Sequence, residues 1–300
     1  MIRVFDERIW ARTVRRIGAK QCTPFIGAGA SAEYIPLAGD LAKILADQYD
    51  YPFGEASDLA RVTQFAAVQE GDRLEIKQRL AADIFANVPV PDFRPRDEPH
   101  ALLADLEFPI YLTTNYDDFM YEALKNRGRE PQRVICPWYI TDDWEVKEAN
   151  SPFREAAGYD PDIDNPILYH LHGHHGTPES LVLTEDDYIE FLVRVARNPN
   201  LLPPVIRAAL LSQMLLFVGF SMADLTFRVI FEALLSTRSP RSRPAHVSVQ
   251  IPPPAEDPAD ERLARLQEYL DEYYAEWRIS ICWQTARDFS AELRRRWESR

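Results

Sequence analysis

Asn115 and His172 are the side chains in this sequence best placed to act on a sugar. Asn115 lies in Thr113-Thr114-Asn115-Tyr116-Asp117, directly after an apolar run. There an amide beside a carboxylate can grip ribose hydroxyls or orient a water. His172 ends another apolar run in Leu171-His172-Gly173. Histidine's ordinary titration range suits a general base at such a position. Two further segments offer a phosphate cradle. In Phe25-Ile26-Gly27-Ala28-Gly29-Ala30-Ser31, the glycines permit a tight turn and close approach of backbone N–H groups to a pyrophosphate, and Ser31 adds a hydroxyl. In Phe217-Val218-Gly219-Phe220-Ser221, Gly219 allows close approach and Ser221 can bond a ribose or phosphate oxygen.

Each segment also has a plainer reading. A two-glycine turn between strand and helix is often only structural. The third-glycine position of a dinucleotide fingerprint holds Ala32, and no lysine follows as a P-loop requires. Asp117 or Asp118 can cap the next helix, although capping needs one residue rather than Thr114, Asn115 and Asp117 together. Asp224 either caps a helix or meets the ligand. His170, His172 and His174 would share one face if their strand continued, but Gly173 is placed to bend it. No cysteine is near enough to complete a structural metal site, so no metal is expected. His170 is read as packed, and His174 and His175 as exposed loop residues.

These segments need strands to carry them. Apolar strand-like runs at Cys22–Ile26, Ile110–Thr113, Arg133–Cys136, Ile167–His172, Leu181–Leu183, Met214–Val218, Ala245–Ile251 and Trp277–Trp283 alternate with amphipathic stretches of helical period. Such alternation implies an α/β fold, a Rossmann-like and mainly parallel sheet with helices on both faces. In open α/β sheets ligands bind at the carboxyl ends of the strands, where all four segments lie. One domain over residues 1–300 is expected, with a helical insertion at about 40–100 and an irregular, acidic and aromatic one at about 138–165. Trp138, Trp144 and Tyr273 are candidates for interfaces if exposed.

Bulk properties narrow the function. The 300 residues are 46% hydrophobic, enough for a substantial core. A net charge of -13 and a pI near 5.0 argue against nucleic-acid or anionic-membrane binding through the whole surface. Arg228, Arg238, Arg241 and Arg243 leave room for a local basic patch or a solvated loop. Cys22, Cys136 and Cys282 are scattered, without CxxC spacing, and read as buried thiols. Neither a secretory signal nor a long uncharged apolar span is evident, and a cytoplasmic location is expected.

In order, the segments resemble the sirtuin superfamily, and in particular its bacterial branch of NAD-cleaving effectors. The resemblance spans roughly residues 25–235. It implies that Gly27, Ala28, Gly29 and Ser31 form the phosphate loop and that Thr114-Asn115-Tyr116-Asp117 stands for the family's Gln-Asn-Ile-Asp. Asn115 then positions ribose and water, Asp117 contacts the nicotinamide side, and His172 is the catalytic histidine. Gly219-Phe220-Ser221 stands for the Gly-Thr-Ser turn on the adenosine side. No cysteine lies between His172 and Gly219, so the zinc module of deacylating members is missing. Tyr34-Ile35-Pro36-Leu37-Ala38-Gly39-Asp40 replaces their Gly-Ile-Pro-Asp-Phe-Arg loop.

The expected activity is therefore NAD+ hydrolysis to nicotinamide and ADP-ribose, of the kind used in abortive anti-phage defence. NAD+ would serve as substrate and no metal would be needed. The alternatives are a scaffold subunit that binds NAD or ADP-ribose without turnover and, ranked last, a protein deacylase. A homo-oligomer is expected, with a separately encoded partner such as a HerA-type ring ATPase or a short Argonaute.

Overall fold

The structure, a computed structural model, describes residues 5–150, 159–198, 201–220, 244–251 and 261–300. Its centre is a seven-stranded sheet built from β1 (Cys22–Ile26), β2 (Ile110–Thr113), β3 (Gln132–Ile135), β4 (Ile167–His170), β5 (Met214–Val218), β6 (His246–Gln250) and β7 (Ile279–Trp283). The strand order is β3-β4-β2-β1-β5-β6-β7, and every pairing is parallel.

Side-chain alternation explains why both faces must be covered. Phe25, Ile110, Leu112, Tyr169, Leu215 and Phe217 join one core, which includes residues of α8 (Glu185–Arg197), α9 (Pro204–Ser212) and α10 (Glu261–Ala275). Cys22, Ile26, Tyr111, Leu168, Leu216 and Val218 join the other, with α1 (Glu7–Gly18), α5 (Pro99–Asp105), α6 (Phe119–Asn126) and α11 (Ala286–Glu298). A strand buried on both faces reads as a continuous apolar run, as β5 does.

Between β1 and β2 the chain builds α2 (Ala38–Gln48), α3 (Leu59–Glu70), α4 (Arg73–Leu80) and a π-helical turn over Ala81–Phe85. These helices share a third core of Leu41, Leu45, Val62, Ile76, Leu80 and Phe85. Between β3 and β4 a short helix, α7 (Asp143–Ala149), interrupts the acidic stretch.

Two expectations are corrected. Leu181–Leu183 is not a strand: it is buried but lies outside the sheet, tied by the Val182 N–H to the His172 carbonyl at 2.9 Å. Trp138 is not an exposed interface aromatic. It is 2% exposed, meets Phe191 edge-on and donates its indole N–H to the Ser180 carbonyl. Trp144 is exposed and Tyr273 half-buried. All three cysteines are buried and free.

Candidate active site

After β1 the chain crosses to β2 on one side, while β5 lies on the other. The sheet therefore has its topological switch beside β1, where a ligand crevice is expected. A cavity of about 440 Å³ opens there, within the ordinary range for small-molecule sites. Gly27, Ala28, Gly29, Ser31, Thr114, Asn115, Asp117, His172 and Gly219 all line it. Ser221, Asp224 and Arg228, Arg238, Arg241 and Arg243 lie outside the described residues.

Strand register brings the two candidate catalytic residues together. Thr113 of β2 pairs with His170 of β4, so Asn115 and His172 leave neighbouring strands two residues later. His170 reinforces this junction through Nδ1, 3.1 Å from the Asn115 carbonyl oxygen. Burial pushes the His170 imidazole down to about 3, suiting it to packing rather than proton transfer. His172 is 3% exposed, with Phe191 and Tyr188 edge-on to its ring at 5.3 and 5.8 Å.

The polar wall of the cavity is a directed chain. Asn115 Nδ2 donates to the Gly27 carbonyl at 3.2 Å and to Ser31 Oγ at 3.1 Å. Ser31 Oγ donates to Asp117 Oδ2 at 3.0 Å, and the Phe119 N–H donates to Asp117 Oδ1 at 3.0 Å. Asp117 thus holds both the serine and the first turn of α6, whereas the Asp118 side chain caps nothing there. Burial raises the Asp117 carboxyl above its ordinary value, opposed by His100, the Phe119 N–H and Ser31. With these donors assigned, the Asn115 Oδ1 acceptor has no hydrogen-bond partner among the described residues.

The glycine loop is less open than its sequence suggests. The Gly27, Gly29, Ala30 and Ser31 N–H groups donate to Val218, Gly219, Gly27 and Ala28 carbonyls. Among described groups, only the Ala28 N–H in this stretch has no acceptor, so the loop presents one backbone donor rather than a nest. Close approach is instead spent on Gly219, whose φ is +67°; a Cβ there would stand 2.0 Å from the Ala30 nitrogen.

His174 and His175 correct the expectation of exposed loop residues. His174 is 4% exposed and His175 half-buried, and each places Nε2 2.9 Å from an Asp118 oxygen. Gly173, at φ +93°, makes the expected bend, and a Cβ there would meet the Ser180 carbonyl oxygen at 2.1 Å.

Sequence reasoning missed several wall residues: Tyr188 on α8, Gln250 at the end of β6, Gln284 after β7, and Ile35, Leu59 and Phe85 of the helical module. The rule that ligands gather at strand ends could have flagged Gln250 and Gln284. The module's apolar residues carried no signal beyond core packing.

The SIR2-like domain family matches residues 109–279, more than half of the chain. Similar curated proteins include NAD(+) hydrolase ThsA of Acinetobacter baumannii (strain 532279), 25% identical over 71% of this chain and 39% of that protein. NAD(+) hydrolase ThsA of Cytobacillus dafuensis is 27% identical over 67% of this chain and 35% of its own length. For that of Bacillus cereus (strain MSX-D12) the values are 28%, 67% and 37%. The chain therefore spans well under half the length of these relatives. With the family's match covering β2 to the start of β7, and with Asn115 and His172 at the ends of paired strands within it, the chain belongs to the SIR2-like domain family.

Proposed function

We propose that the chain hydrolyses NAD+ at the bond between nicotinamide and ribose. The observation that carries this reading is that Asn115, His172 and the Gly27–Ser31 loop all line one cavity at the switch point of the sheet. The similar proteins named as NAD(+) hydrolases support it.

In the proposed reaction the electron pair of the C–N bond leaves with neutral nicotinamide, and the ribose carbon becomes oxocarbenium-like, as in glycoside cleavage. Water adds to that carbon and loses a proton, giving ADP-ribose. Asn115 Oδ1 is the acceptor that orients the water or a ribose hydroxyl. His172 takes the proton of one of them. Gly27, Ala28 and Gly219 line the approach of the pyrophosphate, with the Ala28 N–H as donor. Thr114 and Asp117 flank the nicotinamide side. Tyr188 and Phe191 beside His172 keep bulk water from the reacting carbon. Residues 1–300 act as one domain in this reading, with the helical module as part of its wall.

The test is release of nicotinamide and ADP-ribose by the purified chain, measured by chromatography. His172→Ala is expected to lower kcat by about 10²- to 10⁴-fold, the usual scale for a positioned proton-transfer group, and Asn115→Ala by about 10²-fold, the scale for a misplaced reactant. Turnover equal to wild type in both variants would overturn the assignment. We further propose that the chain works as a homo-oligomer under a separately encoded partner, such as a ring ATPase or a short Argonaute, in anti-phage defence. A fully active, stable monomer by size exclusion with mass determination would count against this.

A further inference from the structure

A second polar cluster lies beside the cavity. Asp118 Oδ1 and Oδ2 accept from Nε2 of His174 and of His175, each at 2.9 Å, and Arg133 pairs with the same carboxylate while covering the Tyr121 ring at 4.2 Å. One potential ligand atom from each of Asp118, His174 and His175 lies within 4.8 Å of the others, which invites a metal reading. The tautomer of His174 opposes it. Its Nδ1 accepts the Gly176 N–H at 3.0 Å, so in the neutral ring Nε2 carries the proton and has no lone pair for a cation. Arg133 adds a positive charge at the same carboxylate. Burial would raise the Asp118 carboxyl, yet His174, His175 and Arg133 together hold it far below the usual carboxylate range, as expected of a hydrogen-bonded anion.

What the cluster joins gives it a role. Asp118 directly follows the Asn115–Asp117 turn, and His174 and His175 directly follow His172-Gly173. The two turns are already linked by the Leu171 N–H to the Thr113 carbonyl at 2.8 Å and the His175 N–H to the Tyr116 carbonyl at 3.1 Å. Both parent strands have ended by this point, so past the Leu171–Thr113 bond the spacing of the turns rests on single contacts, the one between His170 Nδ1 and the Asn115 carbonyl among them, rather than on a ladder. Asp118 closes the far end of the link with two charge-assisted hydrogen bonds.

We propose that Asp118 is a positioning residue: acting through His174 and His175, it fixes the separation of Asn115 from His172. This rests on the sugar-cleavage reading above. It touches no reacting atom in that scheme, and its effect is on geometry, where a displacement near 1 Å can cost on the order of 100-fold in rate.

Asp118→Ala is expected to lower kcat for NAD+ by about 10- to 100-fold while KM stays within about twofold, because the glycine loop is untouched. His174→Gln keeps a neutral donor near the Nε2 position and should retain most of the rate, whereas His174→Phe should lose it. Hydrogen–deuterium exchange on the same proteins should rise in peptides covering residues 113–117 and 171–176 in Asp118→Ala and His174→Phe, and not in His174→Gln. Unchanged kcat in Asp118→Ala, unchanged exchange in both peptides, or equal behaviour of the two His174 variants overturns the clamp. If wild type itself cleaves no NAD+, the sugar-cleavage reading fails, and the exchange data still decide whether Asp118 holds the turns together.

Discussion

At the residue scale, the orientation of one amide matters most. Asn115 Nδ2 is committed to Gly27 and Ser31, which leaves Oδ1 as the acceptor. A buried acceptor without a partner costs roughly 1–3 kcal/mol, and an arriving water or hydroxyl removes that cost. Ser31 can only accept from Asn115 because its own proton goes to Asp117. Ser31→Ala deletes this support, worth about 1 kcal/mol, and a drop in kcat of roughly five- to tenfold is expected in steady-state assays. Asp117 yields a pH prediction. Its folded-state pKa lies above the ordinary 3.8, so the folded protein binds more protons than the unfolded chain between the two values. The stability it contributes is thus complete below 3.8 and is lost as pH rises through the folded value. Ligand-free Asp117→Asn is therefore expected to melt higher than wild type at pH 7, with the gap narrowing toward pH 4, while its activity falls. Comparing the two proteins cancels the opposite slope from His174, whose buried imidazole is shifted downward. Parallel melting curves across that range would defeat the argument.

At the element scale, the cavity depends on how closely β1 and β5 can end side by side. The Gly29 N–H donates to the Gly219 carbonyl at 2.8 Å, and Gly219 has the left-handed conformation that glycine adopts readily. Gly219→Ala meets both a strained φ and backbone atoms of Gly29 and Ala30, none of which can swing away as a side-chain tip could. A loss of about 2 kcal/mol or more is expected in urea unfolding, together with loss of ADP-ribose binding in calorimetry. A variant that binds with wild-type affinity would show that the loop can relax. Much of this architecture is legible in the sequence. Apolar runs ending in glycine or short polar residues marked β1, β2, β4 and β5, and order along the chain indicated a single crevice. Leu181–Leu183 misled because a short apolar run has no period that separates strand from buried loop. His174 and His175 misled for a different reason. Polar residues after a glycine bend are expected outside, and only the fold supplies the Asp118 carboxylate, more than fifty residues earlier in the chain, that makes burying His174 acceptable.

At the scale of the molecule, the cavity has walls from two bodies of the fold. The strand ends provide its polar floor, and the helical module between β1 and β2 provides Ile35, Leu41, Leu59 and Phe85. The module is fastened by a buried ion pair: Lys77 of α4, 5% exposed, reaches Asp187 of α8 at 2.8 Å, and α8 carries the wall residue Tyr188. In sequence Lys77 looks like any cation on the polar side of a helix. Its partner cannot be guessed from spacing, since Asp187 also completes the Thr184 capping box. Removing the cation leaves a buried carboxylate, which typically costs 3–5 kcal/mol. Here the Leu183 and Thr184 N–H groups and Arg73 at 3.6 Å still serve Asp187, so Lys77→Met is expected near the lower limit, about 3 kcal/mol. Because the pair anchors the apolar wall and not the Asn115–His172 junction, loosening it should raise KM for NAD+ more than it lowers kcat. Urea unfolding and initial rates on the same preparation test both halves. A fall in kcat at constant KM would mean that the module supports the reacting groups directly. An unchanged urea midpoint would mean that the remaining contacts hold it against the sheet, among them Phe119 and Leu181 packed into the module's core and the Thr63 hydroxyl donating to the Leu183 carbonyl at 2.8 Å.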